Sequence, residues 1–160
     1  MKLLMGSDHG GIHLKKHLAG YLTAKGYEII DVGTDSEASC DYPDFAAKLC
    51  GEIAKGTATK GILVCGTGIG ISIAANKCKG IRAAVCNDVY AAKMSRMHND
   101  ANVLCMGERI IGVGVAELIA DTWLNTDFEG GRHARRVDKI MAFRYLDMDQ
   151  AMAEALELKI

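Results

Sequence analysis

The amino-acid sequence predicts an α/β fold in three layers, α/β/α, with a five-stranded parallel sheet of Rossmann/flavodoxin-like type and further helices at the C-terminus. Three observations carry the prediction. Short apolar runs such as Ile62-Leu63-Val64 alternate five times with amphipathic stretches, and a continuous apolar run suits a strand buried on both faces. Glycine-rich or polar segments follow the runs, at Gly6-Ser7-Asp8-His9-Gly10-Gly11, Cys65-Gly66-Thr67-Gly68, Asn87-Asp88 and Gly107-Glu108-Arg109, as they do at the ligand-binding edge of open α/β sheets. The chain has 160 residues, one proline and no linker-like stretch, so it reads as a single domain over 1–160 with a helical extension from about residue 132. Right-handed crossovers leave few topologies, and a flavodoxin-like strand order is expected.

Each element has its own signal. Residues 2 to 7 form the first strand. Ile12, Leu14, Leu18, Tyr21 and Leu22 mark the apolar side of a helix that Gly26 stops. Glu28 to Val32 is the second strand. A polar loop leads to Asp41-Tyr42-Pro43-Asp44, where Pro43 suits a first helical turn, continued by Phe45, Ala46, Leu49 and Ile53. The third strand ends at Cys65; three glycines in five residues follow, then a helix through Ile71, Ile73, Ala74 and Ala75. Ile81 to Cys86 is a strand, about Val89 to His98 a helix closed by Asn99-Asp100, Ala101 to Met106 a strand, and Val115 to Leu124 a helix. Residues 132 to 142 read as a basic helix. Residues 146 to 158 read as an amphipathic helix, with Leu146, Met148, Met152, Ala155 and Leu156 apolar, packing on another subunit or on its own core.

Composition excludes several classes. Hydrophobic content of 49% and charged content of 24% are those of an ordinary globular protein. A formal net charge of −1 argues against a nucleic-acid surface. No apolar run approaches the ~18 residues of a membrane span. Six cysteines without CxxC spacing indicate free thiols in a reducing cytoplasm, not disulfides or a zinc site.

The chemistry centres on Cys65. A cysteine in such a turn is often only a small buried residue. At a strand end beside a glycine turn and a helix start, however, free N–H groups and the helix dipole favour an anion and depress a thiol pKa. Asp8, His9 and Asp88 end neighbouring strands on the same rim. His98 and Asn99 precede the fifth strand, which puts them at the opposite rim; a dimer would bring His98 of one chain to Cys65 of another. Taken singly, His98 reads as a cation at a helix C-terminus and Asp8-His9 as an N-cap and a surface histidine. Arg132 and Arg136 share a helix face bordered by Arg135. They are a solvated surface or a phosphate clamp, since guanidinium forks match phosphate oxygens. There is no P-loop, and Gly66-Thr67-Gly68-Ile69-Gly70-Ile71 lacks the third glycine of GxGxxG. Asp88 stands about where a ribose-binding acid belongs, so a dinucleotide reading stays open. No histidine or carboxylate cluster has metal-ligand spacing.

These segments, with Asp41-Tyr42-Pro43, the run from Cys65 to Lys77, His98-Asn99-Asp100-Ala101-Asn102-Val103 and Glu129-Gly130-Gly131-Arg132-His133, resemble ribose-5-phosphate isomerase type B, of the ribose/galactose isomerase family. The similarity runs over about residues 2 to 140, and the tail after about residue 144 is longer than usual. The resemblance implies an aldose–ketose isomerase of the pentose phosphate pathway that interconverts ribose 5-phosphate and ribulose 5-phosphate through an enediolate. It makes Cys65 the base, with the amides of Gly66, Gly68, Ile69 and Gly70 holding the enediolate oxygen and Thr67 bonding O1 or O2. His98 would open the sugar ring, with Asn99 beside it. His9, Arg109, Arg132 and Arg136 would hold phosphate, Asp8 would hold a sugar hydroxyl, and Tyr42 would line the substrate site. No metal or cofactor is required. The implied partners are a small sugar phosphate and a second copy of the chain, in a homodimer or a tetramer of paired dimers with shared sites. A six-carbon phosphosugar isomerase, for allose 6-phosphate or similar, and a nucleotide-binding module on the same fold are the alternatives.

Overall fold

The computed structural model describes residues 1–143; the amphipathic stretch 146–158 lies outside the described residues. Five parallel strands, β1 (Lys2–Ser7), β2 (Glu28–Asp31), β3 (Gly61–Cys65), β4 (Ala83–Val85) and β5 (Val103–Gly107), form one sheet in the order β2-β1-β3-β5-β4. The helices are α1 (Ile12–Ala24), α2 (Tyr42–Ala54), α3 (Ile69–Ala75), α4 (Val89–Asn99), α5 (Val113–Leu124) and α6 (Arg132–Ala142). A 3-10 turn, His9–Gly11, precedes α1.

The strand pleat divides the interior in two. Leu3, Met5, Ile62, Val64, Leu104 and Met106 point to one face, against Leu14, Leu18 and Leu22 of α1, Ala92 of α4 and Ala116, Ile119 and Trp123 of α5. Leu4, Leu63, Cys65, Val103 and Cys105 point to the other, against Ala46 and Leu49 of α2 and Ile71 and Ala75 of α3. The right-handed crossover rule explains which helix goes where. Connections that step one way across the sheet, β1 to β2 and β4 to β5, carry α1 and α4 on the first face. Those that step back, β2 to β3 and β3 to β4, carry α2 and α3 on the second.

The order corrects the flavodoxin-like expectation, which places the strands 2-1-3-4-5. The last two are exchanged. Val103, Leu104, Cys105 and Met106 are fully buried, as an interior strand requires, whereas Ala83, Ala84 and Val85 are half-buried small residues suited to an edge. β4 is also shorter than Ile81 to Cys86. The Ile81 amide bonds the Cys78 carbonyl (3.2 Å) and the Arg82 amide bonds Asn102 Oδ1 (2.8 Å), so the ladder starts at Ala83. The exchange leaves intact the crevice between β1 and β3, where the chain direction across the sheet reverses. Open α/β sheets hold their ligands at the carboxyl ends of such strands.

Candidate active site

At the carboxyl rim, β3 ends on Cys65, which is 5% exposed. Its Sγ accepts a hydrogen bond from the Gly68 N–H at 3.2 Å. That bond requires the chain to fold back within three residues, and Gly68 does so at φ +79°, in the left-handed region. A Cβ on Gly68 would also stand 2.9 Å from the Met106 carbonyl carbon on β5. α3 has only seven residues, so its dipole is short, and the direct N–H on sulfur is the more specific contact.

The neighbouring strand ends close around this loop. The amides of Glu108 and Arg109 donate to the carbonyls of Cys65 (3.0 Å) and Gly66 (3.1 Å). The Arg109 side chain lies over Gly66 and beside Gly10, about 3.6 Å from where a Cβ on either would stand. Asp8 caps the 3-10 turn by accepting from the Gly10 N–H at 2.9 Å. Burial raises its carboxyl above the usual range, against the opposing pull of that N–H and of the His9 and Arg109 charges. His9 accepts the Cys40 N–H on Nδ1 at 3.2 Å, which leaves Nε2 as the ring's donor. The Tyr42 ring packs on Gly70 so closely that a Cβ there would sit 2.7 Å from its Cζ. Thr67 is exposed, its Oγ1 accepting from the Ile69 N–H at 3.3 Å. One chain thus gathers Asp8, His9, Tyr42, the stretch from Cys65 to Gly70, and Arg109.

Three other cysteines are poorly suited to act as bases. Burial pushes the Cys50 thiol up to about 12 and Cys86 to about 11, and raises Cys105 well above the ordinary range.

The remaining expected site residues form a second cluster. Cys65 pairs in register with Gly107, the last residue of β5, while His98 and Asn99 precede Val103, the first. They therefore stand at the amino rim, as the order of elements predicts. The His98 ring stacks on His133 of α6, with centroids 4.2 Å apart and planes 5° from parallel. Glu129 Oε2 lies 3.7 Å from His98 Nε2 and 3.4 Å from His133 Nε2. Burial, then the neighbouring His98 and Arg132, holds the His133 imidazole below its usual pKa. Arg132 donates from Nε to His133 Nε2 at 3.4 Å, and Arg136 is exposed one turn further along α6. A groove of about 790 Å³ runs past Asn99, Arg82, Gly80 and Ile140, and borders none of the Cys65 loop.

Sequence reasoning missed what supports the second cluster. Asp100 ends α4 at φ 45° and holds two arginines, Arg96 at 2.8 Å and Arg82 at 2.9 Å. Arg82 Nε also bonds the Asn99 carbonyl at 3.0 Å. The signal was a charged residue at a helix end, too common to single out. His133 and Glu129 carried no role either. Their spacing of four places them together, but His98 joins them only through the packing of α4 on α6.

Comparison with known proteins gives a consistent result. The ribose/galactose isomerase family matches residues 3–140. Ribose-5-phosphate isomerase B of Escherichia coli (strain K12) is 49% identical over 141 residues, 88% of this chain and 95% of that protein. D-erythrulose-4-phosphate isomerase of Pectobacterium atrosepticum is 40% identical over 94% of this chain and 99% of its own. The solved structure of Clostridium thermocellum ribose-5-phosphate isomerase B superposes with a TM-score of 0.87 at 56% identity, covering 88% of this chain and 95% of that one. With all of the sheet but Lys2, the Cys65 loop and the histidine–arginine cluster inside the matched residues, the chain belongs to the ribose/galactose isomerase family.

Proposed function

We propose that the protein interconverts ribose 5-phosphate and ribulose 5-phosphate at a site shared by two subunits of a homodimer. The observation that carries the reading is the pair of complementary half-sites. A thiol in a loop of backbone donors lies at one rim of the sheet, and a histidine with arginines at the other. Membership of a family that includes ribose-5-phosphate isomerases supports the chemistry.

In this reading His98 of the partner subunit protonates the ring oxygen of the bound furanose while the anomeric hydroxyl gives its proton to solvent, and the open-chain aldose results. Cys65, as thiolate, removes the proton from C2 and returns it to C1 while the hydroxyl proton passes from O2 to O1, so the carbonyl moves from C1 to C2 with no net gain or loss of atoms. A backbone N–H donating to an ionised sulfur makes a charge-assisted hydrogen bond. The Gly68 amide is taken by sulfur and the Ile69 amide by Thr67, so the remaining amides between Gly66 and Gly70 hold the enediolate oxygen. Thr67 bonds O1 or O2, Asp8 a sugar hydroxyl, and Tyr42 lines the pocket. The phosphate lies among His9, Arg109 and the partner's Arg132 and Arg136, with the partner's Asn99 beside the reacting end. No metal takes part.

The test is turnover of four-, five- and six-carbon aldose phosphates, with and without chelator. The four-carbon arm answers to the erythrulose-phosphate relative, which spans more of this chain than the Escherichia coli one. Preference for ribose 5-phosphate, undiminished by chelator, is expected. Cys65→Ala should abolish C2 proton exchange with solvent while sugar phosphate still binds. Tight nucleotide binding without isomerisation would overturn the reading.

A further inference from the structure

We propose that His98, Glu129 and His133 form a binding site for zinc, and that zinc bound there blocks the isomerase. The binding rests on the side chains alone; the inhibition rests on the role proposed above for His98.

The ligand atoms of the three residues lie within 4.8 Å of one another. Zinc bonds of about 2.0–2.2 Å in a tetrahedron place neighbouring ligand atoms roughly 3.3–3.6 Å apart. The two gaps from Glu129 Oε2, at 3.4 and 3.7 Å, already approach that span. Only the two histidine nitrogens have to draw together, by rotation of rings that now lie parallel. The backbone beneath them is well held. His98 occupies the last turn of α4, and the Glu129 amide is bonded to the Met97 carbonyl at 3.0 Å. His133 is the second residue of α6, and its own amide is bonded to the Gly130 carbonyl at 3.0 Å.

Two imidazoles and one carboxylate are the donor set of open zinc sites, which keep a fourth position for water. Imidazole nitrogen selects zinc, copper and nickel over magnesium and calcium. Among the described residues Arg132 and Arg136 both oppose a cation, and Arg132 Nε occupies His133 Nε2. Zinc must displace that contact, so affinity is limited by the arginine and rises when its charge is removed. Once His98 Nε2 is a ligand it has no proton to give to a sugar ring, and the Arg132 clamp is disturbed as well. Zinc therefore competes with sugar phosphate.

The experiment uses the full-length protein. Zinc is titrated against a chromophoric chelator, and cobalt(II) is used as a spectroscopic probe of the same site. One saturable site per chain is expected, with cobalt d–d bands and no thiolate charge-transfer band. Glu129→Gln and His133→Asn should each weaken binding at least ~10-fold, the lower end of what loss of a supporting residue around a metal costs. Arg132→Gln should tighten it, and Cys65→Ala should leave it unchanged. Zinc should inhibit turnover of the wild type, reversed by chelator, and the concentration needed should rise in Glu129→Gln and His133→Asn. Lack of saturable binding would overturn the proposal. So would a thiolate band lost in Cys65→Ala, or affinity indifferent to both Glu129→Gln and His133→Asn in folded protein. Zinc binding as described without inhibition would leave the site standing and overturn the blocking role. Absence of any isomerase activity would instead count against the functional reading, while the titration still judges the site.

Discussion

Three of the loop glycines serve different needs, and single substitutions separate them. Gly68 combines a left-handed φ with a backbone wall at 2.9 Å, so Gly68→Ala should cost about 1–3 kcal/mol of stability and lose the N–H on Cys65. A Cβ on Gly66 meets nothing nearer than 3.6 Å, and Gly66→Ala should stay within ~0.5 kcal/mol of wild type. Gly70→Ala falls between, because the Tyr42 ring can swing aside at the expense of the pocket wall. Urea unfolding of the three variants checks the order. Asp8 sets a pH-dependent case. Its folded-state pKa is raised by burial, so the native state binds the proton more tightly than the unfolded chain does. Stability from this group is therefore greatest in acid and falls as pH rises through the folded pKa. Asp8→Asn should raise the melting temperature at neutral pH, with the gain vanishing in acid, while activity falls because the carboxylate is gone. A melting-temperature difference that grew toward acid would contradict this.

At the scale of elements, the turn from α4 into β5 is held by Asp100 between Arg96, which is 7% exposed, and Arg82. Asp100→Ala removes both charge-assisted bonds and places alanine at φ 45°. A loss of about 2–3 kcal/mol is expected, since Arg96 keeps its bond to the Ala101 carbonyl (2.6 Å) but not its counter-ion. The same clamp reaches the Asn99 carbonyl, so kcat should fall even where the variant is fully folded. Denaturant melts paired with kinetics at a temperature well below the transition separate the two effects. The edge position of β4 belongs to this scale too: its three half-buried small residues could not have displaced the wholly buried run of β5 from the interior.

For the whole molecule, the proposed homodimer makes a sharp prediction. Cys65→Ala and His98→Ala should each be inactive. Mixed after subunit exchange, they should form heterodimers in which one of two sites holds both residues. With random association at equal amounts, half the dimers are mixed, and activity should return to about a quarter of the wild-type value. No recovery after proven exchange would mean that both residues serve one chain.

Local sequence determined the elements and the chemical inventory. The apolar runs, the Gly26 and Pro43 boundaries and the Cys65 turn all follow from residues within a few positions of each other, where backbone sterics and side-chain period act directly. The split of Cys65 and His98 between opposite rims was legible too, because parallel strands fix which end of the sheet each connection reaches. Only the tertiary structure decided that β5 lies inside β4, since competition for the sheet interior compares strands that are distant in the chain. It alone set Tyr42 on Gly70, Arg109 over Gly66, Asp100 between two arginines and His98 against His133 and Glu129. Each of these contacts joins side chains from different elements, and the packing of those elements, not the pattern within any of them, sets the distance.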